Sequence, residues 1–374
     1  MVLHHTWLAT WPSFPSNAGP AWVEPLLYGH MAVAVFIVVS GFSLALVPMS
    51  NGGRLPGGVR RFVRRRAWRI LPAYWAALIL STLVTAYLLR PDLGTAAMGK
   101  GFVVHGLLLQ DVIGSQTPNG ALWSIAVEWQ IYFIFPVILL LGRRTNLATA
   151  VAVTVAVVLV AHELASLDPR FHVINHLTPQ FLALFALGVL AVQLGRGDRA
   201  AALRAPLAVV AVTAMLVFVL AAVTRGSEWV VGHFFWMDLV FGVGVACALT
   251  VMYAGGAGRA RSVLSSRTAL WLGLFSYSIY LIHAPIVGTI NKYAVQPLDL
   301  APLATFGLLL ALGLPAVLAL CYGFHLLFEA PFLRRRGWSA LRTMPMLRLL
   351  PRSRSKQTDS TPAPAEAATA RSVV

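Results

Sequence analysis

The sequence predicts an all-α fold: a polytopic transmembrane helix bundle of about ten helices, the first of them truncated in this chain. Three observations carry that expectation. Hydrophobic residues make up 58% of the chain and charged residues only 11%. A soluble domain carries about 25% charged residues, so this chain has too little charge to cover a surface facing water. Nine apolar stretches have the length, about 20 residues, that crosses roughly 30 Å of hydrocarbon. None of them holds a lysine or arginine, and none alternates with the period of two that would mark a strand.

In chain order the stretches cover residues 30–49, 70–89, 121–142, 147–165, 178–195, 206–224, 235–254, 268–290 and 303–328. The run 102–113 is too brief to span and is expected to be re-entrant or interfacial. Segments 50–69, 143–146, 196–205, 255–269 and 329–374 hold 24 of the 29 Lys and Arg residues. The segments between them hold only Arg90, Lys100, Arg170, Arg225 and Lys292. The positive-inside rule places the basic set in the cytoplasm, which makes 7–29 an external loop in a multi-pass protein of the cell membrane with a cytoplasmic C-terminus. The stretch before residue 7 then ends a first helix. Met1 to Trp11 cannot span alone, so the true start is expected upstream of Met1. Residues 1–336 form the transmembrane domain. Residues 337–374 are basic and then rich in Ala, Thr, Pro and Ser, the composition of a disordered tail.

The formal charge of +16 is accounted for by topology, and no nucleic-acid partner is expected. Cys247 and Cys321 sit in apolar runs and are read as small core residues, with no disulfide framework and no metal spacing.

Polar groups inside a bilayer are costly and concentrate at functional sites. The nine stretches contain three acidic residues, Glu128, Glu163 and Asp238. Glu163 and Asp238 lie near helix ends, where a structural role suffices. Glu128 is deeper, and Ser124, Glu128 and Tyr132 fall at i, i+4, i+8 on one helix face. That row faces either a wet cavity or a satisfied polar core. Ser276, Tyr280 and His283 form a second row at i, i+4, i+7. Counting from the span edges, His5, Glu128 and His283 share the outer part of the membrane. At the other mouth, Arg66 and Arg69 are expected to begin a helix and, at i, i+3, to point the same way. Guanidinium forks beside a helix N-terminus suit a polyphosphate ligand; an anchor for anionic lipid is the alternative.

Five segments in this order resemble the acyltransferase 3 family of membrane O-acyltransferases, over nearly the whole chain. They are Phe36 to Phe42 (FIVVSGF), Arg66 to Trp75 (RAWRILPAYW), Leu122 to Glu128 (LWSIAVE), Ser276 to Pro285 (SYSIYLIHAP) and Glu329 to Phe332 (EAPF). The resemblance implies transfer of an acyl group, acetyl by default, from acyl-CoA to a hydroxyl of a glycan or glycosylated metabolite, without a metal. It implies that His5, with His4 as the alternative, is the catalytic histidine at the outer end of the first helix. Glu128 would assist it, and Arg66 and Arg69, supported by Arg65, would hold the donor. Ser40, Ser124, Tyr132, Ser276, Tyr280, His283 and Glu329 would line or support the site. The basic residue that the family carries about three helical turns before its histidine would fall before Met1. Two other readings stay open. Intramembrane Glu and His also serve proton-coupled transporters, although no internal repeat and no pair of broken helices is evident. A non-catalytic membrane partner is the third reading, if the short N-terminus is real.

Overall fold

The computed structural model describes residues 1–256, 258–334 and 337, so the tail expected over 337–374 lies, apart from Gly337, outside the described residues. Among the described residues the regular elements are helical. They are α1 (Val2–Thr10), α2 (Met31–Ser50), α3 (Gly58–Val84), α4 (Gly94–Gly106), α5 (Trp123–Arg144), α6 (Leu147–Leu167), α7 (Val173–His176), α8 (Gln180–Arg196), α9 (Ala200–Gly232), α10 (Phe234–Tyr253), α11 (Gly258–Leu264), α12 (Arg267–Leu274), α13 (Ser276–Ile290), α14 (Pro302–Leu308), α15 (Leu314–Phe324) and α16 (Ala330–Arg334), with short 3-10 and π turns between some of them. Among the described residues seven helices are long and apolar enough to cross a membrane by themselves, and two bent pairs bring the total to nine. These nine coincide with the nine apolar stretches.

Two of the spans differ from expectation. The stretch 268–290 is not one helix: α12 and α13 meet at a 68° bend at Phe275. The stretch 178–195 is preceded by a short helical segment at 47° to α8. Broken helices are therefore present, contrary to the sequence reading. The bend at Phe275 lies in apolar sequence, so hydropathy continues through it unaltered, whereas the other break falls at Leu177 to Pro179, just after the polar segment that ends in Asn175 and His176. The start of α3 also differs. Gly57 and Gly58 both have φ of +77°, and the helix begins there, more than two turns before Arg66. Arg66 and Arg69 are thus interior helix residues, and the field of a helix N-terminus does not act on them. The early turns are rich in arginine, so they carry no apolar signal.

The helices fall into two groups. In the first, α2 packs on α8 and α10, α10 on α9, and α6 on α5 and α8. In the second, α13 packs on α15, α3 and α1. The α2–α8 crossing is unusually close. A Cβ on Gly41 would lie 2.1 Å from the carbonyl oxygen of Phe185, and one on Gly188 would lie 2.1 Å from that of Val38. Without a hydrophobic force between helices in lipid, small residues that let backbones approach drive association. Gly41→Val is expected to cost about 1–3 kcal/mol by overpacking, read as a lower unfolding midpoint in detergent. Gly99→Ala, where a Cβ meets open space, should leave the midpoint in place.

The run 102–113, expected to be re-entrant or interfacial, falls on the end of α4 and the segment after it. Tyr74 Oη donates to the carbonyl of His105 at 2.8 Å and Trp75 Nε1 to that of Gly106 at 3.0 Å, which satisfies the C-terminal end of α4 against α3. The chain then returns. Thr85 Oγ1 donates to the Pro118 carbonyl at 2.7 Å, and Asn119 Nδ2 donates to Ser81 Oγ at 3.1 Å and to the Leu281 carbonyl at 2.8 Å. Irregular backbone inside a bundle persists where protein groups satisfy it in this way.

Candidate active site

The seam between the two helix groups carries the polar residues. At its arginine-rich end, Arg65, Arg66 and Arg69 of α3 line a cavity of about 220 Å³ together with Ser43, Phe62 and Phe332. The i, i+3 spacing of Arg66 and Arg69 brings both to this cavity, and Arg65 follows from the adjacent position. The Arg66 guanidinium lies 6.0 Å from the centre of the Tyr132 ring, within range of a cation–π contact.

Glu128 comes next along the seam. It is 3% exposed. Ser40 Oγ donates to its Oε1 at 2.8 Å, and Tyr132 Oη donates to the same oxygen. Ser40 comes from α2, while Glu128 and Tyr132 are one turn apart on α5. The SGF segment therefore serves two ends: Ser40 reaches the carboxylate and Gly41 allows the helix crossing. Ser124, one turn earlier on α5, shares a 2.5 Å hydrogen bond with Tyr280 of α13 and so bridges the two groups.

His283 lies one turn beyond Tyr280 and is fully buried. Its Nδ1 donates to the carbonyls of Ile279 and Tyr280, each at 2.9 Å. This fixes the tautomer and leaves Nε2 as an acceptor, and Nε2 has no hydrogen-bond partner among the described residues. The His5 ring packs edge-on against His283, with ring centres 4.7 Å apart. Asn291 Nδ2 holds the end of α1 through the Ala9 carbonyl at 3.1 Å, and Trp7 and Trp11 bury against Val23, Leu27 and Phe306. The nine residues of α1 are thus anchored at both their polar and apolar faces.

The two ends of the seam are well separated. Tyr277 Oη donates to the Ile70 carbonyl, the Asn119 side chain links Leu281 to Ser81, and Lys292 Nζ donates to the Leu88 carbonyl. The α13 helix therefore runs alongside α3, with His283 beyond the level of Ser81. From Arg69 to Ser81 is 12 residues of helix, or about 18 Å.

Several predicted residues sit differently from their sequence rows. Ser276 is exposed and donates to the Gly273 carbonyl at the bend, so it does not share the seam with Tyr280 and His283. All three residues lie in α13, but Ser276 is its first residue and sits at the exposed end beside the bend. Ser278 is the buried serine: it donates to Glu329 Oε2 at 2.6 Å, and His325 Nδ1 donates to the same oxygen at 2.8 Å. His325 was not anticipated, although its i, i+4 spacing to Glu329 was visible. Glu329→Ala would strand both buried donors and is expected to cost about 1–3 kcal/mol per orphaned group, measurable as a fall in unfolding midpoint. His4 donates from Nδ1 to the Leu26 carbonyl at 2.8 Å and packs 5.4 Å from His5. Glu128 makes its hydrogen bonds to Ser40 and Tyr132, and the ring beside His5 is His283. Glu163 is exposed, as a helix-end residue can be, but Asp238 is fully buried. Cys321 is buried and Cys247 half-buried, both as free thiols.

A family model described as an acyltransferase domain matches residues 1–325. The chain is 31% identical to YrhL of Bacillus subtilis over 144 residues, covering 34% of this chain and 23% of that protein. It is 29% identical to the acyltransferase MdmB of Streptomyces mycarofaciens over 135 residues, covering 34% of this chain and 33% of that protein. It is 24% identical to the peptidoglycan O-acetyltransferase OatA of Listeria monocytogenes over 124 residues, covering 30% of this chain and 20% of that protein. The matched part thus spans about a third or less of each of these relatives. No solved structure matches the chain.

Proposed function

The chain belongs to this acyltransferase domain family, and on that premise we propose that it is a membrane O-acyltransferase using acyl-CoA, with acetyl as the simplest acyl group, and a glycan or glycosylated metabolite as acceptor. The observation that carries the reading is the file of polar side chains along the seam: Arg65, Arg66 and Arg69, then Tyr132, Glu128 and Ser40, then Ser124 and Tyr280, then His283 and His5. The matched family and the names of the relatives support acyl transfer, and the arginine cavity supports a phosphate-bearing donor.

The chemistry runs in one direction along that file. Arg66 and Arg69, with Arg65 beside them, bind the donor's phosphates by charge-assisted forks, on the cytoplasmic side if basic residues face inward. The acyl thioester extends toward the histidines. His5 accepts the proton of the acceptor hydroxyl as the oxygen attacks the thioester carbonyl. The tetrahedral adduct then collapses, the C–S bond breaks, and the thiolate takes up the proton held by His5 and leaves as free CoA. A neutral imidazole is the form that accepts such a proton. A relay through acyl-His5 has the same overall balance and uses the same residues. The free Nε2 of His283 offers an acceptor to any hydroxyl or imidazole N–H at this level.

The test is purified chain in lipid nanodiscs with acetyl-CoA and a soluble glycan, without any ion gradient. An ester-linked acetyl group on the glycan by mass spectrometry supports the reading. Donor left unconsumed there, with solute uptake by the same protein in sealed vesicles under an imposed ion gradient, favours the transporter alternative.

A further inference from the structure

The segment before α2 ends on His30, whose side chain is not part of the polar file. Its Nε2 donates to Asp238 Oδ2 of α10 at 3.0 Å, and Gln180 Nε2 of α8 donates to the same oxygen at 3.1 Å. Asp238 is fully buried, and its Oδ1 has no hydrogen-bond partner among the described residues. Two aromatic rings lie parallel to the imidazole: Phe234 at 4.1 Å between centres and Trp123 at 5.6 Å.

A carboxylate only accepts, so its bond to His30 commits the proton to Nε2. When the ring is neutral, its lone pair is then on Nδ1. No hydrogen bond engages Nδ1 among the described residues, the atom is not enclosed, and the side chain keeps 18% of its surface open. His30 is therefore an aligned hydrogen-bond acceptor at an open edge, fixed from behind by a buried carboxylate and amide.

The cluster adjoins the histidines already described. Gly29 lies so close to His4 that a Cβ there would be 2.4 Å from its Cγ. Trp123 immediately precedes Ser124, whose hydroxyl meets Tyr280. Packing alone does not call for such a group, because a buried carboxylate is costly in a membrane protein and apolar or small side chains hold helices together without it. Aromatic faces with a few convergent polar groups are the chemistry of a small-molecule site, and an aligned imidazole lone pair selects for a hydroxyl donor.

We propose that His30, held by Asp238 and Gln180 against Trp123 and Phe234, is the acceptor subsite, where Nδ1 receives a hydrogen bond from a hydroxyl of a sugar ring. Its designation as acceptor rests on the acyl-transfer reading; the binding does not. The test is calorimetric titration of the full chain in nanodiscs with two probes in separate runs, a soluble β-1,4-linked N-acetylglucosamine oligosaccharide and CoA. For His30→Gln the oligosaccharide Kd is expected to rise by at least about tenfold, the equivalent of about 1.4 kcal/mol, with the CoA Kd within about twofold of wild type. Asp238→Asn, whose amide oxygen still accepts from Nε2, is expected to show a smaller rise. Three results would overturn the proposal: no oligosaccharide binding by the wild type, an oligosaccharide Kd unaffected by His30→Gln, or loss of both ligands together in both variants, which would mark a structural pin. Wild type that binds the oligosaccharide through His30 but ignores CoA would sink the acyl-CoA reading and leave this subsite standing.

Discussion

His5→Ala is expected to lower acyl transfer by about 10²–10⁴-fold, the usual contribution of a positioned general base, with little change in donor affinity. The expectation follows from where the ring sits. His5 packs on His283 at the end of the seam remote from the arginines, and its removal touches neither the cavity of Arg65, Arg66 and Arg69 nor the bonds of Glu128. His4 makes a backbone hydrogen bond to Leu26 and covers Gly29, so His4→Ala is expected to act chiefly on stability and by a smaller factor on rate. Steady-state rates at saturating donor, with unfolding midpoints measured in parallel, separate the two. Equal losses from both substitutions would remove His5 from its assigned role.

Arg66→Ala and Arg69→Ala are each expected to raise the donor KM by about 10–100-fold, because a hydrogen bond to a charged group contributes about 1.5–3 kcal/mol and every 1.4 kcal/mol is a factor of ten. Lysine should not restore Arg66 in full. The guanidinium reaches over both Phe62 and Tyr132, and an ammonium ion offers neither the planar stack nor the paired donors. Donor affinity should also weaken with added salt, as expected for phosphate held by partly exposed arginines. Donor titrations at low and high ionic strength check both statements. Unchanged KM in either single variant would place the phosphates elsewhere.

The nine spans were legible because bilayer thickness imposes a length and a polarity that survive any detail of packing. What hydropathy does not encode is direction within the apolar phase. The bend at Phe275 lies in apolar sequence, so hydropathy does not show that Ser276 opens α13 at an exposed end; Glu329 carries a site expectation through the family resemblance, whereas its partners Ser278 and His325 carry none. The start of α3 was missed for the opposite reason: its first turns are charged and lie outside any apolar window. Glu128 stood out as an acid deep in a span with a serine and a tyrosine one turn to either side. Its partner on another helix, Ser40, entered through the family resemblance, since spacing along one chain says nothing about contacts 88 residues apart. Asp238 was visible but undervalued. Proximity to a span edge suggests contact with water, whereas the segment before α2 and helix α8 close over it with His30 and Gln180.

The central claim is that a donor held among the arginines delivers its acyl group to a hydroxyl at the far end of the seam. Sealed proteoliposomes with acetyl-CoA added only outside and a soluble glycan trapped only inside test it most directly. Acetyl ester accumulating on the trapped glycan, while the lumen stays free of CoA, is the predicted result. Acetylation confined to vesicles with donor and glycan on the same side of the bilayer would contradict it.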